Sequence, residues 1–481
     1  MRGAVLGVVR GVVRGLVHGL VRCAGPILPF LRPVFSVFSS SPSIHDPSHV
    51  IGILGAGITG LSLSVFLEEA GVEHRVFEAA SRPGGVIRSG RVDGRVLDWG
   101  PQRTRVTPPV ERMIELLELG DRMVRVPADL PLYVLRRGRI RRVPFRPRDL
   151  FRTSLLSWRG KLRLFAEPWT GAYEDDETVG AFLSRKFGAE AYENLMGPLF
   201  GGLYGSDPGE MLVRHSLAET MEGFGVSKSI LWGFLRGSFN RSAAPQATSF
   251  VEGMAEFTDA MHRRVEHRVS LETPIVGLAP GEGGGWTLTT ATGETHQMDQ
   301  VVLTVPSEVA AELLEEVSPD AARRLAGLRY NQLAMVHLAH EDADSGSLHG
   351  LGYQVSYGEG SRTRGVTWNS SALGRRGVLT AFLGGARDPA LLQMDDDEIG
   401  EIARREFRDV MGVDTRILDV SRTRVPSWDR SWTAMEELEL PAGLHLCSNY
   451  ESRVGIPGRL GRAQGLAAQL AGEAGVDGAG A

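Results

Sequence analysis

The pattern of apolar and polar positions divides the chain into segments of different texture. From His49 to Leu54 an apolar run reads as a buried strand. Glycines follow it, then a helix carrying Leu61, Leu63, Val65, Phe66 and Leu67, with a stop at Gly71. His74 to Ala79 supplies a second strand at once. About thirty residues thus make one strand–helix–strand unit, whose crossover rules imply a parallel sheet covered by helices. Between about Pro108 and Phe239 the texture turns helical, with arginine-rich connections such as RRGRIRRVPFRPRDLFR from Arg136 to Arg152. After Phe250 strand signals return at TPIVGL, GWTLTT and DQVVLTVP, separated by glycine-rich turns. A mixed region follows with MVHLAH, GYQVSY and GVLTAFLGG, and the chain closes with a strand at GLHLCSN and a helix through Gln464 to Leu470.

The first 45 residues obey a different rule. They hold no acidic residue before His45, and Arg10, Arg14, His18 and Arg22 recur every four positions, which stripes one face of a helix. The arginines interrupt any apolar run long enough to span a bilayer, and the recurring glycines weaken the helix. The segment is therefore read as a basic apolar leader, disordered in the mature fold, with a helix lying on an anionic membrane surface as the alternative.

Composition narrows the class. A chain of 481 residues exceeds one ordinary core and predicts two or three compact units. Hydrophobic content of 42%, charged content of 23% and a net charge of −5 describe a soluble globular protein with no basic excess for a nucleic-acid partner. Cys23 and Cys447 are the two cysteines, too few for a disulfide framework and without ligand spacing, so a reducing compartment and metal-free chemistry are expected. The Arg136–Arg152 run is read as a solvated face; beside Phe145, Leu150 and Phe151 it also suits acidic lipid headgroups.

The chemistry sits first in the loop after the opening strand. Gly55, Gly57 and Gly60 give GxGxxG between a strand and a helix. The first glycine permits the tight turn, the second lets backbone N–H groups approach a pyrophosphate, and the third lets helix pack on sheet. The phosphate then meets the positive end of the helix. Glu78, ending the second strand, stands at the spacing from which an acid bonds a ribose. NAD and FAD both satisfy this much. EAASRPGGVIRS, from Glu78 to Ser89, adds Arg82, Gly84 and Gly85 just beyond the acid.

That combination resembles the extended fingerprint of the flavin-dependent amine oxidase and protoporphyrinogen oxidase superfamily, and implies FAD. Further blocks resemble its protoporphyrinogen and coproporphyrinogen oxidase branch: LDWGPQRTR (Leu97–Arg105), GPLFGGLYGSDPGEMLVRHS (Gly197–Ser216), TSFVEGM (Thr248–Met254), VLTAFLGGARDPAL (Val378–Leu391) and the closing GLHLCSNYESRVGIPGRLGRAQGLAAQLAG. The resemblance implies FAD contacts from Gly55, Ala56, Gly57, Ile58, Thr59 and Gly60 in the loop, and from Glu78, Ala79, Arg82, Gly84, Gly85 and Val86 beyond the second strand. It places Gly100, Pro101, Gln102 and Arg103 at the flavin-side turn, and Val276, Trp432, Val454, Gly455 and Ile456 along the cofactor from later segments.

The implied activity is oxidation of a porphyrinogen, protoporphyrinogen IX or coproporphyrinogen III, to the porphyrin with molecular oxygen as acceptor, in heme biosynthesis. Because a flavin carries such chemistry, no catalytic residue is assigned; Arg103, Arg105 and Tyr353 are the candidates for anchoring the carboxylate-bearing macrocycle. The implied setting is cytoplasmic, with peripheral contact to the inner membrane face and room for a homodimer. The fold class expected is α/β: a Rossmann-like FAD-binding domain in three parts (46–108, 245–305, 425–481), a helical insertion (109–244) and a mixed α+β substrate domain (306–424). Three features depart from the branch: VPSWDRSW at Val425–Trp432, a shortened connection after Trp432, and Ser448 and Arg453 where glycines are usual. They keep two rivals in view, an amine oxidase or desaturase on the same framework and a flavin-fold binding protein without turnover.

Overall fold

A computed structural model describes residues 50–145, 147–218, 221, 229, 245–341, 348–451 and 455–475; the leader, Arg453 and Val454 lie outside the described residues. β1 (Ile51–Leu54), α1 (Ile58–Glu69) and β2 (His74–Phe77) build the expected opening unit. Every residue of β1 is buried, as a strand covered on both faces requires. β3 (Ser89–Val92) and β4 (Arg95–Asp98) form a hairpin over Asp93 and Gly94, whose φ values of 49° and 73° suit a mirror-type two-residue turn. β5 (Thr104–Arg105), α2 (Pro108–Leu116) and β6 (Met123–Arg125) lead to a second such hairpin, β7 (Leu132–Arg136) and β8 (Arg139–Arg142), turning at Arg137 and Gly138 with φ of 53° and 67°. The longer helices that follow are α3 (Trp158–Phe165), α4 (Val179–Phe187) and α5 (Gly197–Tyr204).

β9 (Ala247–Phe250), α6 (Ala255–Val265) and β10 (Val269–Ser270) bring the chain back to the opening unit. β11 (Ile275–Pro280), β12 (Trp286–Thr290) and β13 (Thr295–Met298) make a small antiparallel sheet before β14 (Gln300–Leu303). β15 (Tyr330–Ala339), β16 (Gly352–Val355), β17 (Thr363–Trp368), β18 (Val378–Gly384), α7 (Asp396–Met411) and β19 (Arg416–Pro426) follow, and β20 (Leu444–Leu446) and α8 (Ile456–Glu473) end the fold.

Two sheets position the site. The first is parallel, in the order β10-β2-β1-β14-β20, so strands from three distant stretches of sequence share one layer. α6 and α8 pack on α1 against it, which explains why α1 is buried almost all round instead of on one stripe. The second sheet runs β19-β15-β18-β17-β16-β7-β8. Here the reading of 109–244 as a helical insertion needs correction: its β7 pairs in parallel with β16, Tyr133 opposite Tyr353, and β8 forms the sheet's edge. Arg139, Arg141 and Arg142 suit that position, because charge on an edge strand discourages further pairing. β19 also carries this sheet to Pro426, past the expected boundary at residue 424.

The second sheet has two unlike faces. Ala334, Val336, Tyr353, Val366 and Ala381 form an apolar face against α7, through Ile399, Ile402 and Phe407. By strand alternation the other face carries Leu333, His337, Thr367, Thr380 and Phe382, and it meets the flavin-side turn.

Candidate functional site

The loop after β1 is shaped by contacts that exclude side chains. A Cβ on Gly60 would stand 1.9 Å from the Gly55 carbonyl oxygen, and Gly55 itself holds φ at +106°. At Gly57, by contrast, a Cβ would meet nothing within 4 Å. Gly57 caps α1 without any side-chain bond, so the first-turn amides face that open space. The 82–86 segment closes over it: the Gly84 N–H donates to the Ala56 carbonyl at 2.8 Å, and Arg82 clips its own turn by donating to the Gly85 carbonyl at 2.8 Å. Glu78 accepts from the Ala56 N–H at 2.6 Å and the Ala80 N–H at 2.8 Å, which fixes its carboxylate beside the loop. Val276, the bulged residue of β11, is 62% exposed near the same end, where β2 continues into backbone bonds between Glu78 and both Ser270 and Thr273.

The flavin-side turn follows β4. A Cβ on Gly100 would lie 2.4 Å from the Val86 carbonyl oxygen, so the two segments touch through backbone. Arg103 is partly buried, its Nη1 atom enclosed and unpartnered, and burial, then the Arg105 charge, hold its guanidinium below the ordinary value. At the start of α8, Arg459 has a buried Nε without a partner, and burial brings its guanidinium down to about 10. Two half-buried cations that no carboxylate among the described residues pairs with suit an anion supplied by a ligand. An open glycine cradle at a helix N-terminus, an acid fixed beside it and these cations together fit a dinucleotide such as FAD.

Behind the turn lies a buried polar network tying it to the second sheet. Gln102 donates from Nε2 to Thr380 Oγ1 at 2.7 Å and accepts at Oε1 from Thr367 at 2.9 Å. Asn369 Nδ2 also donates to Thr380 Oγ1, at 3.0 Å, so that hydroxyl has both lone pairs engaged. The same hydroxyl lies 3.0 Å from His337 Nδ1, within hydrogen-bond reach. Burial, with the Arg375 cation nearby, pushes the His337 pKa down to about 4, which agrees with a neutral ring. Asp98, at the end of β4, pairs with Arg375 and accepts from the Met254 N–H at 2.8 Å, and both partners are buried.

Two to four strand positions further along the same face lies a cavity of ≈ 370 Å³. Leu333 and Phe382 floor it, Pro198 and Gly201 of the helical part wall it, and Arg364 and Arg387 reach into it. Gly205 closes that wall against the sheet, where any Cβ would come within 2.5 Å of Leu333.

The structure thus gathers Gly55, Ala56, Gly57, Ile58, Thr59, Gly60, Glu78, Ala79, Arg82, Gly84, Gly85 and Val86 at one cradle, and Gly100, Pro101, Gln102 and Arg103 at one turn. Gly455 caps α8 at φ +94° with Ile456 buried behind it. Trp432 is buried, and its Nε1 donates to the Tyr450 carbonyl at 2.9 Å while its ring packs on Trp428. One substrate candidate is corrected. Tyr353 belongs to the face against α7, stacked 6.5 Å from Phe407, and does not line the cavity. Arg105 lies exposed on β5, donating to the Pro245 carbonyl at 3.0 Å. Arg364, Arg387 and the Thr380 network escaped the sequence reading; ARDPAL was quoted for its resemblance, but nothing local marks which arginine meets a cavity.

The profile of the family described as flavin containing amine oxidoreductase matches residues 58–438. The chloroplastic protoporphyrinogen oxidase of Nicotiana tabacum is 28% identical over 393 residues, covering 75% of this chain and 71% of that protein. The coproporphyrinogen III oxidase of Bacillus subtilis (strain 168) is 24% identical over 416 residues, covering 80% of this chain and 86% of its own length. Among solved structures, a protein from Exiguobacterium sp. 255-15 described as a protoporphyrinogen oxidase superposes with a TM-score of 0.72 at 22% identity, covering 89% of this chain and 99% of that one. The last likeness speaks to the fold alone. With the matched profile spanning most of the chain, from α1 to beyond β19, this protein belongs to the flavin containing amine oxidoreductase family and is an FAD oxidoreductase.

Proposed function

We propose that the protein oxidises a porphyrinogen to the porphyrin, with FAD as cofactor and molecular oxygen as final acceptor, in heme biosynthesis. The observation that carries the reading is the cavity beside the Gln102 turn, apolar on its floor and cationic at Arg364 and Arg387, which suits a flat apolar ring with acid arms. The names of the relatives support the same substrate class. Bound FAD would supply the acceptance of hydride from the substrate in repeated two-electron steps, with reoxidation by oxygen giving hydrogen peroxide.

The chain's own contribution is position and environment. Thr380 and Thr367 hold both ends of the Gln102 amide, so the turn presents one fixed hydrogen-bonding face. His337 stays neutral and adds no charge behind it. Phe382 and Leu333 exclude water from the ring's edge. Anaerobic mixing of the flavin-loaded protein with protoporphyrinogen, coproporphyrinogen and a panel of amines tests this. Bleaching of flavin absorbance by a porphyrinogen, with porphyrin fluorescence rising, is expected; bleaching by amines alone defeats the reading.

The reading includes peripheral attachment to an anionic membrane, on the cytoplasmic side. Among the described residues no helix is long and apolar enough to cross a bilayer. On and just after α3, however, Trp158, Leu162 and Trp169 are 70%, 68% and 83% exposed, with Phe151 and Phe165 beside them. Arg159 is exposed on the same stretch, an arrangement suited to headgroup and acyl boundary together, whereas Arg163 turns inward to the Arg185 and Lys186 carbonyls. Phe145 and Leu150, expected there too, are only partly exposed and pack on the core instead. The double variant Trp158→Ser/Trp169→Ser should lose most co-sedimentation with anionic vesicles; full retention would remove this surface from the proposal.

A further inference from the structure

The cavity beside the Gln102 turn carries two guanidinium groups that no carboxylate among the described residues pairs with. Arg364 is the bulged residue of β17: the register against β18 shifts between Thr363 and Gly365. A bulge takes one side chain out of alternation and re-aims it. Here it sends Arg364 into the cavity, anchored through Nε to the Gly384 carbonyl at 3.2 Å. Arg387 enters from the turn after β18 and lies flat on Tyr357, its carbon 3.6 Å from the ring centre.

Asp388 and Glu359 line the same cavity, but their carboxylates already hold other donors. Asp388 takes two bonds from Arg362, at 2.8 and 3.0 Å. Glu359 accepts from the Arg137 and Gly138 N–H groups, and Asp207 accepts from the Gly209 N–H at 2.9 Å. Burial, and then the like charge of Arg387, depress the Arg364 guanidinium, which records two cations repelling each other across a half-buried space. A carboxylate placed against either one relieves both the burial and the repulsion. Arg364 stands three residues along β17 from Thr367, the residue that holds Gln102. At strand rise that is about 10 Å, the span a tetrapyrrole ring bridges.

We infer that Arg364 and Arg387 form a dicarboxylate clamp that grips two neighbouring acid arms on one edge of the ring, leaving the opposite edge beside the Gln102 turn. The inference rests on the porphyrinogen reading and deepens it: the clamp recognises adjacency of two acids, and it fixes which edge of the macrocycle approaches the turn.

The test compares protoporphyrin as the free diacid and as its dimethyl ester, in flavin-loaded wild type, Arg364→Met, Arg387→Met and Arg387→Lys. Fluorescence quenching gives the affinities, and steady-state kinetics with the reduced diacid gives KM and kcat. Wild type should prefer the diacid at least about tenfold, since charge-assisted bonds to two carboxylates are lost in the ester. Each Met variant should bring that preference close to one and raise KM for the diacid about tenfold with kcat little changed; Arg387→Lys should restore part of it. Arg387 is exposed, so its variants fold even if Arg364→Met does not. A wild type that binds ester and diacid alike, or Met variants that keep the preference, overturns the clamp. Failure of wild type to oxidise any porphyrinogen defeats the functional reading instead, and the diacid-to-ester ratio then still decides whether the arginines bind paired acids.

Discussion

Gly57→Val is expected to yield a folded protein without flavin, and Gly60→Ala a protein that folds poorly whether or not flavin is offered. The two glycines stand three residues apart in one motif, yet their surroundings oppose each other. Gly57 has a φ of −71°, which any residue adopts, and empty space where its Cβ would be. Valine there adds no clash within the protein and fills the volume the cofactor's phosphates need. A loss of affinity of about a hundredfold or more, some 2.7 kcal/mol, is expected. Gly60 faces the Gly55 carbonyl oxygen at a distance no real Cβ tolerates, so alanine forces the loop away from α1. Overpacking of this kind costs about 1–3 kcal/mol or more. The comparison is made by the ratio of flavin to protein absorbance, and by urea midpoints of flavin-stripped samples, because bound cofactor stabilises whatever retains it. A yellow Gly57→Val protein would show that phosphates do not occupy this cradle. A Gly60→Ala protein of wild-type stability would show that the close approach is not required.

These glycines were legible because their constraints are local: strand, turn and helix follow within a dozen residues, and Glu78 closes the unit at a fixed spacing. The discontinuous parallel sheet was legible through resemblance between blocks, since no local pattern says that Leu444 will lie beside Val301. What failed shares one cause. The Arg136–Arg152 stretch reads as a solvated face, and Arg137, Arg139 and Arg142 are indeed exposed, but the tight hairpin at Arg137–Gly138 escapes that reading. Its role as a sheet edge depends on pairing with β16, more than two hundred residues away in sequence. Tyr353 and Arg364 show the same limit at single-residue scale. In a strand, one position of register decides between core and cavity, and the bulge at Arg364 shifts that register where composition gives no warning. Trp432 also reads from sequence as a ring available to a cofactor, but its indole bonds the Tyr450 carbonyl and packs with Trp428, whose φ of 56° is strained for so large a residue.

Arg375→Met should be the most destabilising single change at the junction of the two sheets, by about 3–5 kcal/mol, because it strands a buried carboxylate. Asp98 is fully buried at the end of β4, and Arg375 just before β18 is its cationic partner. The same guanidinium donates to Ser249 Oγ at 3.1 Å, so its loss leaves a second buried group unsatisfied. Asp98 still accepts from the Met254 N–H and the Ser89 hydroxyl, and these bonds hold its charge in place instead of letting it swing to solvent. The exposed pair Arg91–Glu252 provides the contrast: with side chains 53% and 45% exposed and screened by water, its removal should leave the urea midpoint close to that of wild type. Removing the stranded charge as well, in Asp98→Asn/Arg375→Met, should recover part of the loss, giving a coupling that only contacting residues show. Urea midpoints of wild type, Asp98→Asn, Arg375→Met and the double variant measure it. Since Asp98 ends the strand that leads into Gly100–Arg103, Arg375→Met should also weaken flavin retention, whereas the Arg91 variant should not. If the double variant is no more stable than Arg375→Met alone, the buried charge is not the source of the loss. The pair would then act only as packing between the opening hairpin and β18.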